Sequence, residues 1–238
     1  CPAYKAQRAP MPDDLRAQLP LINEYLVAAG IPLILLKGQE ADDVMATLAA
    51  RAAAAGAAVR LATSDKDLMQ LVDGRIRIVP PTQADTELDP AGVAAKTGVT
   101  PGQIVDWLAL IGDSADNIPG VDGIGPKTAT KLLVRFGSLA ACFARAGEIE
   151  SENLRGKLLA GRATAELNVQ LMTLDRDVPG VPGWGALPAP APDPAKLQAF
   201  YEKYELHRFA AEPAPAPPAP VLKPAKLAAP AGGQLNLF

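Results

Sequence analysis

The stretch GDSADNIPGVDGIGPKTATKLL, residues 112–133, places two aspartates three residues apart, directly before a glycine-rich turn and a lysine-bearing helix. Gly120, Gly123 and Gly125 frame the turn, and Pro126 suits the first turn of the following helix. Glycine lets a backbone approach a phosphate closely, and the amide groups at a helix start attract anions. The neighbouring carboxylates would repel the same anion, so the two halves of this stretch must serve different purposes.

The segment after the glycines predicts a grip on a nucleic-acid backbone. Lys127 and Lys131 are four residues apart, so they share one helix face and can follow a phosphate strand, with Thr128 beside them. Helix, glycine hairpin and helix together favour DNA binding without sequence readout. The alternative is a plain connector between two helices, although such a connector would not need three glycines.

Upstream of this stretch the chain predicts an α/β fold. The pattern gives a helix over 12–29, a buried strand over 31–36, a helix over 40–56, a strand over 57–63, a short helix over 65–72 and a strand over 75–79. Strand, helix and strand in this order favour a parallel sheet. Residues 89–175 show only helical periodicity, and a further helix is predicted over 194–209 between two proline-rich segments. We therefore expect a parallel-sheet core followed by an all-helical subdomain.

Acidic residues form three groups along the chain: Glu40, Asp42 and Asp43; Asp65 and Asp67; Asp113 and Asp116. The first two groups each follow a predicted strand, which places them at the carboxyl edge of the sheet, where ligands bind. Carboxylates gathered there need cations, and Mg²⁺ or Mn²⁺ suits oxygen ligands. A two-metal site of this kind hydrolyses phosphodiesters. The alternative is structural: favourable charges at a helix start, an N-cap at Asp65, and a polar helical turn at 113–116.

Overall composition excludes several other classes. The formal net charge is -3, so any nucleic-acid contact needs a local basic patch. Two cysteines and a single histidine, His207, leave no zinc spacing or serine–histidine triad and suit a reducing bacterial cytoplasm. No apolar run is long enough for a membrane span. The chain begins at Cys1, which favours a fragment over a lipid-modified terminus because no flexible linker follows it.

The motifs EADD, TSDKDLMQLV, GDSADNIPGV and GIGPKTATKLL, in this order, resemble the 5′ nuclease family, which has a PIN- or resolvase-like core. The nearest branch is the 5′→3′ exonuclease domain of bacterial DNA polymerase I, and flap endonucleases are more distant. YKAQRAPMPDDLRAQ, residues 4–18, is similar to the end of that family's helical arch. The resemblance covers about residues 4–210 and implies hydrolysis of DNA flaps and RNA primers during replication and repair.

The resemblance also implies roles for individual residues. All seven acids of the three groups would serve catalysis and bind metal: Glu40, Asp42, Asp43, Asp65, Asp67, Asp113 and Asp116. The hairpin 120–125 would belong to a helix–three-turn–helix that binds duplex DNA with a 5′ flap, nick or primer end, and would hold K⁺ through backbone carbonyls. Tyr4, Lys5 and Arg8 match the arch end that contacts the 5′ strand or scissile phosphate.

The chain departs from the family pattern at its start and within one motif. The family's first strand, with its metal-ligand aspartate, has no counterpart upstream of Cys1, and TSDKD stands where TGDKD is common. If this chain were the entire molecule, we would expect weak nuclease activity or none. The expected domains are residues 1–81 (α/β core), 82–178 (helical DNA-binding subdomain), 179–211 (proline-rich segment and closing helix) and 212–238 (proline–alanine linker or tail).

The tail and the molecular context leave alternatives open. QLNLF, Gln234 to Phe238, resembles the short peptide by which bacterial replication proteins bind the sliding clamp, or is the apolar end of a linker to a polymerase domain. A stand-alone 5′ exonuclease remains an alternative to a polymerase domain, and a DNA-binding module without chemistry is the alternative from a different class. We expect a monomer.

Overall fold

The computed structural model describes residues 4–83 and 86–210. The helices are α1 (Asp13–Ala28), α2 (Ala41–Ala54), α3 (Pro90–Thr97), α4 (Ile104–Ile111), α5 (Pro126–Phe136), α6 (Leu139–Ala144), α7 (Glu152–Ala160), α8 (Arg162–Met172), α9 (Pro194–Lys203) and α10 (His207–Ala210). The strands are β1 (Val59–Ala62), β2 (Ile76–Val79), β3 (Gly112–Asp113) and β4 (Ile118–Pro119). Short 3-10 turns connect several of them.

The sheet pairs β1 with β2 in parallel, with Val59 opposite Ile76 and Ala62 opposite Val79. The crossover between the two strands contains a 3-10 helix, Asp67–Leu71, with four buried residues. α2 contacts both β1 and this 3-10 helix, and it begins with two acids in its first turn, as the sequence predicts. This strand–helix–strand unit places the start of the 3-10 helix at the carboxyl end of β1.

The helical part is centred on α4, which packs against α8 and α5. Its apolar residues Leu108, Ala109 and Leu110 are completely buried. The same hydrophobic core runs from Ala46 in α2 to Met172 at the end of α8, so the sheet and the helices share it. Burial of this continuous apolar surface is the main force that fixes the sheet edge against the helical part.

A separate small layer joins the two ends of the described chain. α1 packs against α9, where Tyr25, Phe200 and Tyr201 form an aromatic cluster with ring centroids 5.6 to 6.5 Å apart. Lys203 and Tyr204 both donate hydrogen bonds to the Glu24 carboxylate. The predicted helix over 194–209 is thus two helices, α9 and α10, with a turn between them.

Three expectations from the sequence need correction. Residues 31–36 are not a strand: they alternate in exposure, but no strand within the described residues pairs with them. Residues 112–119 form an antiparallel hairpin of two-residue strands, so Asp113 ends β3, Asp116 lies in the turn that follows, and the two do not share a helical turn. The stretch 152–174 divides at Gly161 into α7 and α8, and a side chain at Gly161 would collide with Val121.

Within residues 4–83 and 86–210, no helix is both long and apolar enough to traverse a bilayer. The predicted segment 212–238, including the tail peptide 234–238, lies outside the described residues.

Candidate metal centre and nucleic-acid interface

Three carboxylates converge at the carboxyl end of β1. Asp67 begins the 3-10 helix after that strand, while Asp113 ends β3 and Asp116 lies on the turn between β3 and β4. One carboxylate oxygen from each lies within 4.8 Å of the others. Asp113 is buried, and one oxygen of Asp67 is buried without a hydrogen-bond partner within the described chain. We call these three residues the acidic triad.

The acidic triad is electrostatically unfavourable on its own. Burial, followed by repulsion from Asp65 and Asp113, raises the pKa of Asp67 to about 7. Lys66 partly offsets this, with its ammonium 3.2 Å from Asp113. Asp65 sits beside the triad and shapes the turn, because its carboxylate accepts a hydrogen bond from the Asp67 amide at 3.0 Å. The N-cap of the 3-10 helix is Lys66 and not Asp65, as the structural alternative had expected, and the Asp65 carboxylate closes a local turn instead.

The N-terminal segment lies directly over the acidic triad. The Arg8 guanidinium is 2.6 Å from an Asp116 oxygen, and the Lys5 ammonium is 2.6 Å from Glu40 and 3.7 Å from Asp116. The Tyr4 hydroxyl also donates to Asp116, at 3.3 Å. Main-chain hydrogen bonding fixes the segment, since the Lys5 amide donates to the Asp116 carbonyl. The basic residues predicted to contact a phosphate are here held by carboxylates.

These ion pairs shift the titration of the N-terminal groups. Burial alone would lower the pKa of Lys5, but its hydrogen bonds to Glu40 and Tyr4 and the charge of Asp116 raise that pKa above its usual value. Burial raises the pKa of Tyr4, and the nearby negative charges of Asp116 and Glu40 add to the rise. Lys5 therefore stays charged throughout the neutral range and can serve as a permanent cation at the rim.

The remaining predicted acids differ in the groups with which they interact. Burial and then repulsion from Asp65 raise the pKa of Asp42, so Asp42 lies close enough to Asp65 to interact with its charge. Glu40 joins through its ion pair with Lys5. Asp43 instead accepts a hydrogen bond from the Asp175 amide at 2.9 Å, so that oxygen caps the segment after α8. The structure thus gathers the predicted acids around the triad, with Asp43 engaged elsewhere.

The donor set fits a hard divalent cation. All the candidate ligands are carboxylate oxygens, which Mg²⁺ and Mn²⁺ prefer over nitrogen or sulfur. The unpartnered buried oxygen of Asp67 is the observation that an ion would explain, because a buried polar atom without a partner is costly. The residues that could hold such an ion are Asp67, Asp113 and Asp116, with Asp42 and Asp65 near them.

The glycine turn follows the acidic triad along the chain. Gly120 packs against the backbone of Ile111, and a side chain there would collide with it. Gly123 has a φ of 70°, which glycine adopts without strain. Gly125 is the N-cap of α5 and has open space around it, so the amides at the start of α5 are approachable. The turn thus combines close backbone packing with an exposed helix start.

The lysines of α5 lie in a groove of about 550 Å³. Lys127 and Lys131 line it together with Trp107 and Thr130, and both lysines are exposed. Trp107 donates to the Thr130 hydroxyl at 3.0 Å, which fixes α4 against α5. Within the described residues, neither lysine is paired with a carboxylate. Thr128 is partly buried on the first turn of α5.

Sequence patterns missed three residues around these sites. Lys66, the lysine of the TSDKD motif, forms an ion pair with Asp113, but the local sequence does not indicate this partner. Asn168 is buried on α8 and donates to the carbonyls of Ala109 and Pro119, which ties the acidic turn to the helical core. Lys157 on α7 packs against Gly123 of the hairpin. From the sequence alone, a lysine or asparagine that makes such contacts cannot be distinguished from one that is exposed to solvent.

Comparison with known proteins defines the class. Residues 1–98 match the family described as 5'-3' exonuclease, N-terminal resolvase-like domain, and residues 99–195 match the 5'-3' exonuclease, C-terminal SAM fold. The chain belongs to the 5'-3' exonuclease family. Its resolvase-like part with a parallel sheet, followed by a SAM-like helical part, confirms the fold class expected from the sequence.

The relatives include polymerases and a separate exonuclease. The chain is 41% identical over 219 residues to the thermostable DNA polymerase I of Thermus thermophilus, covering 90% of this chain and 26% of that protein. It is 41% identical over 175 residues to the 5'-3' exonuclease of Aquifex aeolicus, covering 74% of this chain and 59% of that protein. The chain therefore spans about a quarter of the length of such polymerases.

A solved structure supports the fold. The flap endonuclease of bacteriophage T5, in a complex with DNA and metal ions, superposes with a TM-score of 0.63 at 21% identity, covering 89% of this chain and 78% of that one. At this level of identity the similarity establishes the shared fold, and the roles of individual residues rest on the geometry described above.

Proposed function

We propose that the protein is a metal-dependent 5′→3′ exonuclease and flap endonuclease, acting on DNA and RNA primers as part of a DNA polymerase I. The observation that carries this proposal is the acidic triad, with its three carboxylates within 4.8 Å on the loops beside the glycine turn. Family membership and the 41% identity to a DNA polymerase I support the reaction class. The carboxylates beside a phosphate-binding turn are then explained, because the triad and the turn would bind different parts of one substrate.

The acidic triad is the proposed site of Mg²⁺ or Mn²⁺. Asp67, Asp113 and Asp116 would hold the ion, and the nearby acids Glu40, Asp42, Asp43 and Asp65 would complete a two-metal site, Asp43 after leaving its contact with Asp175. A divalent ion bound there activates water and stabilises the leaving oxygen of a phosphodiester. Lys66 beside Asp113 balances part of the remaining negative charge.

The N-terminal basic residues have a positioning role in this proposal. Arg8 and Lys5 are held at the rim by Asp116 and Glu40, within reach of anything bound over the triad. When those carboxylates take a cation, the guanidinium and the ammonium lose their partners and can donate to phosphate oxygens. Tyr4, hydrogen-bonded to the same carboxylate, would contact the 5′ strand.

The turn and α5 form the proposed grip on the duplex. The backbone at Gly120, Gly123 and Gly125 and the side chains of Lys127, Thr128 and Lys131 would contact phosphates without reading bases. The open space at Gly125 and the unpaired lysines of the groove support this. A K⁺ ion held by the carbonyls of 120–125 remains part of the proposal.

The larger context is also proposed. The boundary after residue 81 would separate the α/β core from the helical subdomain 82–178, and residues 179–211 would close the fold through α9 and α10. Residues 212–238 would connect to a polymerase domain or bind the sliding clamp through Gln234 to Phe238 in the bacterial cytoplasm. A monomer fits a substrate that contacts one triad and one hairpin.

The test separates cutting from binding. Asp113→Asn and Asp116→Asn, together in the full gene product, should abolish cleavage of a 5′-flap substrate while duplex affinity stays near that of the wild type. Lys127→Met with Lys131→Met should weaken duplex binding. Normal cleavage by the aspartate variant would overturn the proposed metal site. Retained binding without any metal-dependent cleavage by the wild type would indicate a DNA-binding module without chemistry.

A further inference from the structure

Lys96 connects the two halves of the proposed site. It is exposed in the last turn of α3 and lines two separate depressions. The first, of about 160 Å³, also contains Thr63, Ser64 and Asp65 at the carboxyl end of β1, next to the acidic triad. The second is the groove of about 550 Å³ that contains Lys127 and Lys131. A single lysine therefore stands where the neighbourhood of the triad meets the grip.

The end of α3 is held rigidly in this position. The Thr130 hydroxyl of α5 donates to the Thr97 carbonyl at 2.9 Å, and Trp107 donates to the same hydroxyl at 3.0 Å. Gly98 has a φ of 79°, and a side chain there would meet Thr130. Lys96 and the lysines of α5 are thus carried by one connected unit, which keeps their spacing constant.

The charges along this surface indicate what it binds. Lys96, Lys127 and Lys131 have no carboxylate partner within residues 4–83 and 86–210. Asp65, in the first depression, would repel a phosphate backbone on its way to the triad, so a cation at that point would offset the repulsion. A row of three unpaired cations between an acidic centre and a helix start is complementary to a polyanion that spans both.

We infer that Lys96 contacts a backbone phosphate of the duplex between the bond to be cut and the phosphates held by Lys127 and Lys131. The inference rests on the proposed function and adds the path that the strand takes across the protein. The competing explanation is structural, because a lysine in the last turn of α3 also interacts favourably with the helix dipole.

The first experiment measures duplex affinity and its salt dependence for the full chain. Lys96→Met keeps the aliphatic stem and removes the charge, and Lys196→Met on α9, whose ammonium pairs with Asp193, is the matched control. Removing one phosphate contact should lower affinity roughly threefold to tenfold and reduce the slope of log K against log salt by about 0.9. Lys96→Arg should restore both values. Unchanged affinity and slope in Lys96→Met would overturn the inference.

The second experiment locates the phosphate. Duplexes with a single neutral methylphosphonate at successive positions are titrated with wild type, Lys96→Met and Lys127→Met. For each variant, one methylphosphonate position should no longer lower affinity, because the contact to that phosphate is already lost. The position found with Lys96→Met should lie between the scissile bond and the position found with Lys127→Met, and any other order would overturn the inference. If the wild type binds no duplex, the proposed function itself fails. If Lys127→Met changes this pattern of affinities and Lys96→Met does not, the proposed function stands and only the inferred phosphate contact of Lys96 is wrong.

Discussion

We predict that the Asp67 carboxylate of the acidic triad destabilises the metal-free protein. Asp67 has a pKa of about 7 in the folded chain, against 3.8 for an ordinary aspartate, because burial and the charges of Asp65 and Asp113 oppose its ionisation. Because the carboxyl pKa is higher in the folded than in the unfolded chain, protonation of Asp67 stabilises the folded state. This contribution to stability is fully present at low pH and is lost as the pH rises from about 4 to about 7. Asp67→Asn, neutral at every pH, should therefore stabilise the metal-free protein above pH 7.

The size of this effect follows from the pKa difference. At 1.36 kcal/mol for each pKa unit, the gap between 3.8 and about 7 sets an upper limit of about 4 kcal/mol. Asp67 is only partly buried, so solvent screens part of the repulsion, and we expect about 1–2 kcal/mol. For a chain of this length, that corresponds to an increase of roughly 3–6 °C in Tm. The gain should shrink to less than half at pH 5, where the wild-type carboxyl is mostly protonated.

The assay is thermal unfolding in EDTA at pH 5 and pH 8, with the exposed Asp122→Asn as the control. Added Mn²⁺ should then raise the Tm of the wild type more than that of Asp67→Asn, because the variant has lost a ligand. Equal or lower stability of Asp67→Asn at pH 8, or a gain independent of pH, would refute the electrostatic reasoning. The control should show neither effect.

Three further predictions concern the scaffold around the site. Gly120→Ala should cost about 1–3 kcal/mol in urea unfolding because its methyl group collides with the Ile111 backbone, whereas Gly102→Ala, which has open space, should be near neutral; equal effects would contradict the packing. Asn168→Leu should cost about 1–3 kcal/mol in the same assay, since the carbonyls of Ala109 and Pro119 lose their buried donor, and an unchanged midpoint would contradict this. Burial raises the pKa of Cys142 to about 11, so iodoacetamide at pH 8 should label it roughly a hundredfold more slowly in the native chain than in urea, and equal rates by peptide mapping would contradict its burial.

Local patterns predicted the elements that depend on local chemistry. α2 has two acids in its first turn, β2 coincides with an alternating run, and α5 begins at Pro126 after a glycine N-cap. Residues 31–36 show why other predictions fail. Their continuous apolar run is typical of a buried strand, but strand formation requires a partner, which no local pattern supplies.

The candidate site shows the same division. Positions after predicted strands indicated that the first two acidic groups would meet at one edge, and only the family resemblance added Asp113 and Asp116 to them. The structure brings Asp67 of the second group together with Asp113 and Asp116. The sequence could not show that Asp43 would bond to the Asp175 amide, since the two residues are 132 positions apart. The pairing of Lys66 with Asp113 is likewise set by the packing of two loops. Long-range geometry decides which members of an acidic group share a site.

The central claim is that the acidic triad and the glycine turn form a metal-dependent nuclease specific for 5′ ends. The most direct measurement is cleavage by the full gene product of two labelled substrates that differ only in flap polarity, with Mg²⁺ or with EDTA. We expect cleavage of the 5′ flap in Mg²⁺, none in EDTA, and little cleavage of the 3′ flap. Equal cleavage of both flaps, or cleavage of the 5′ flap that persists in EDTA, would contradict the account.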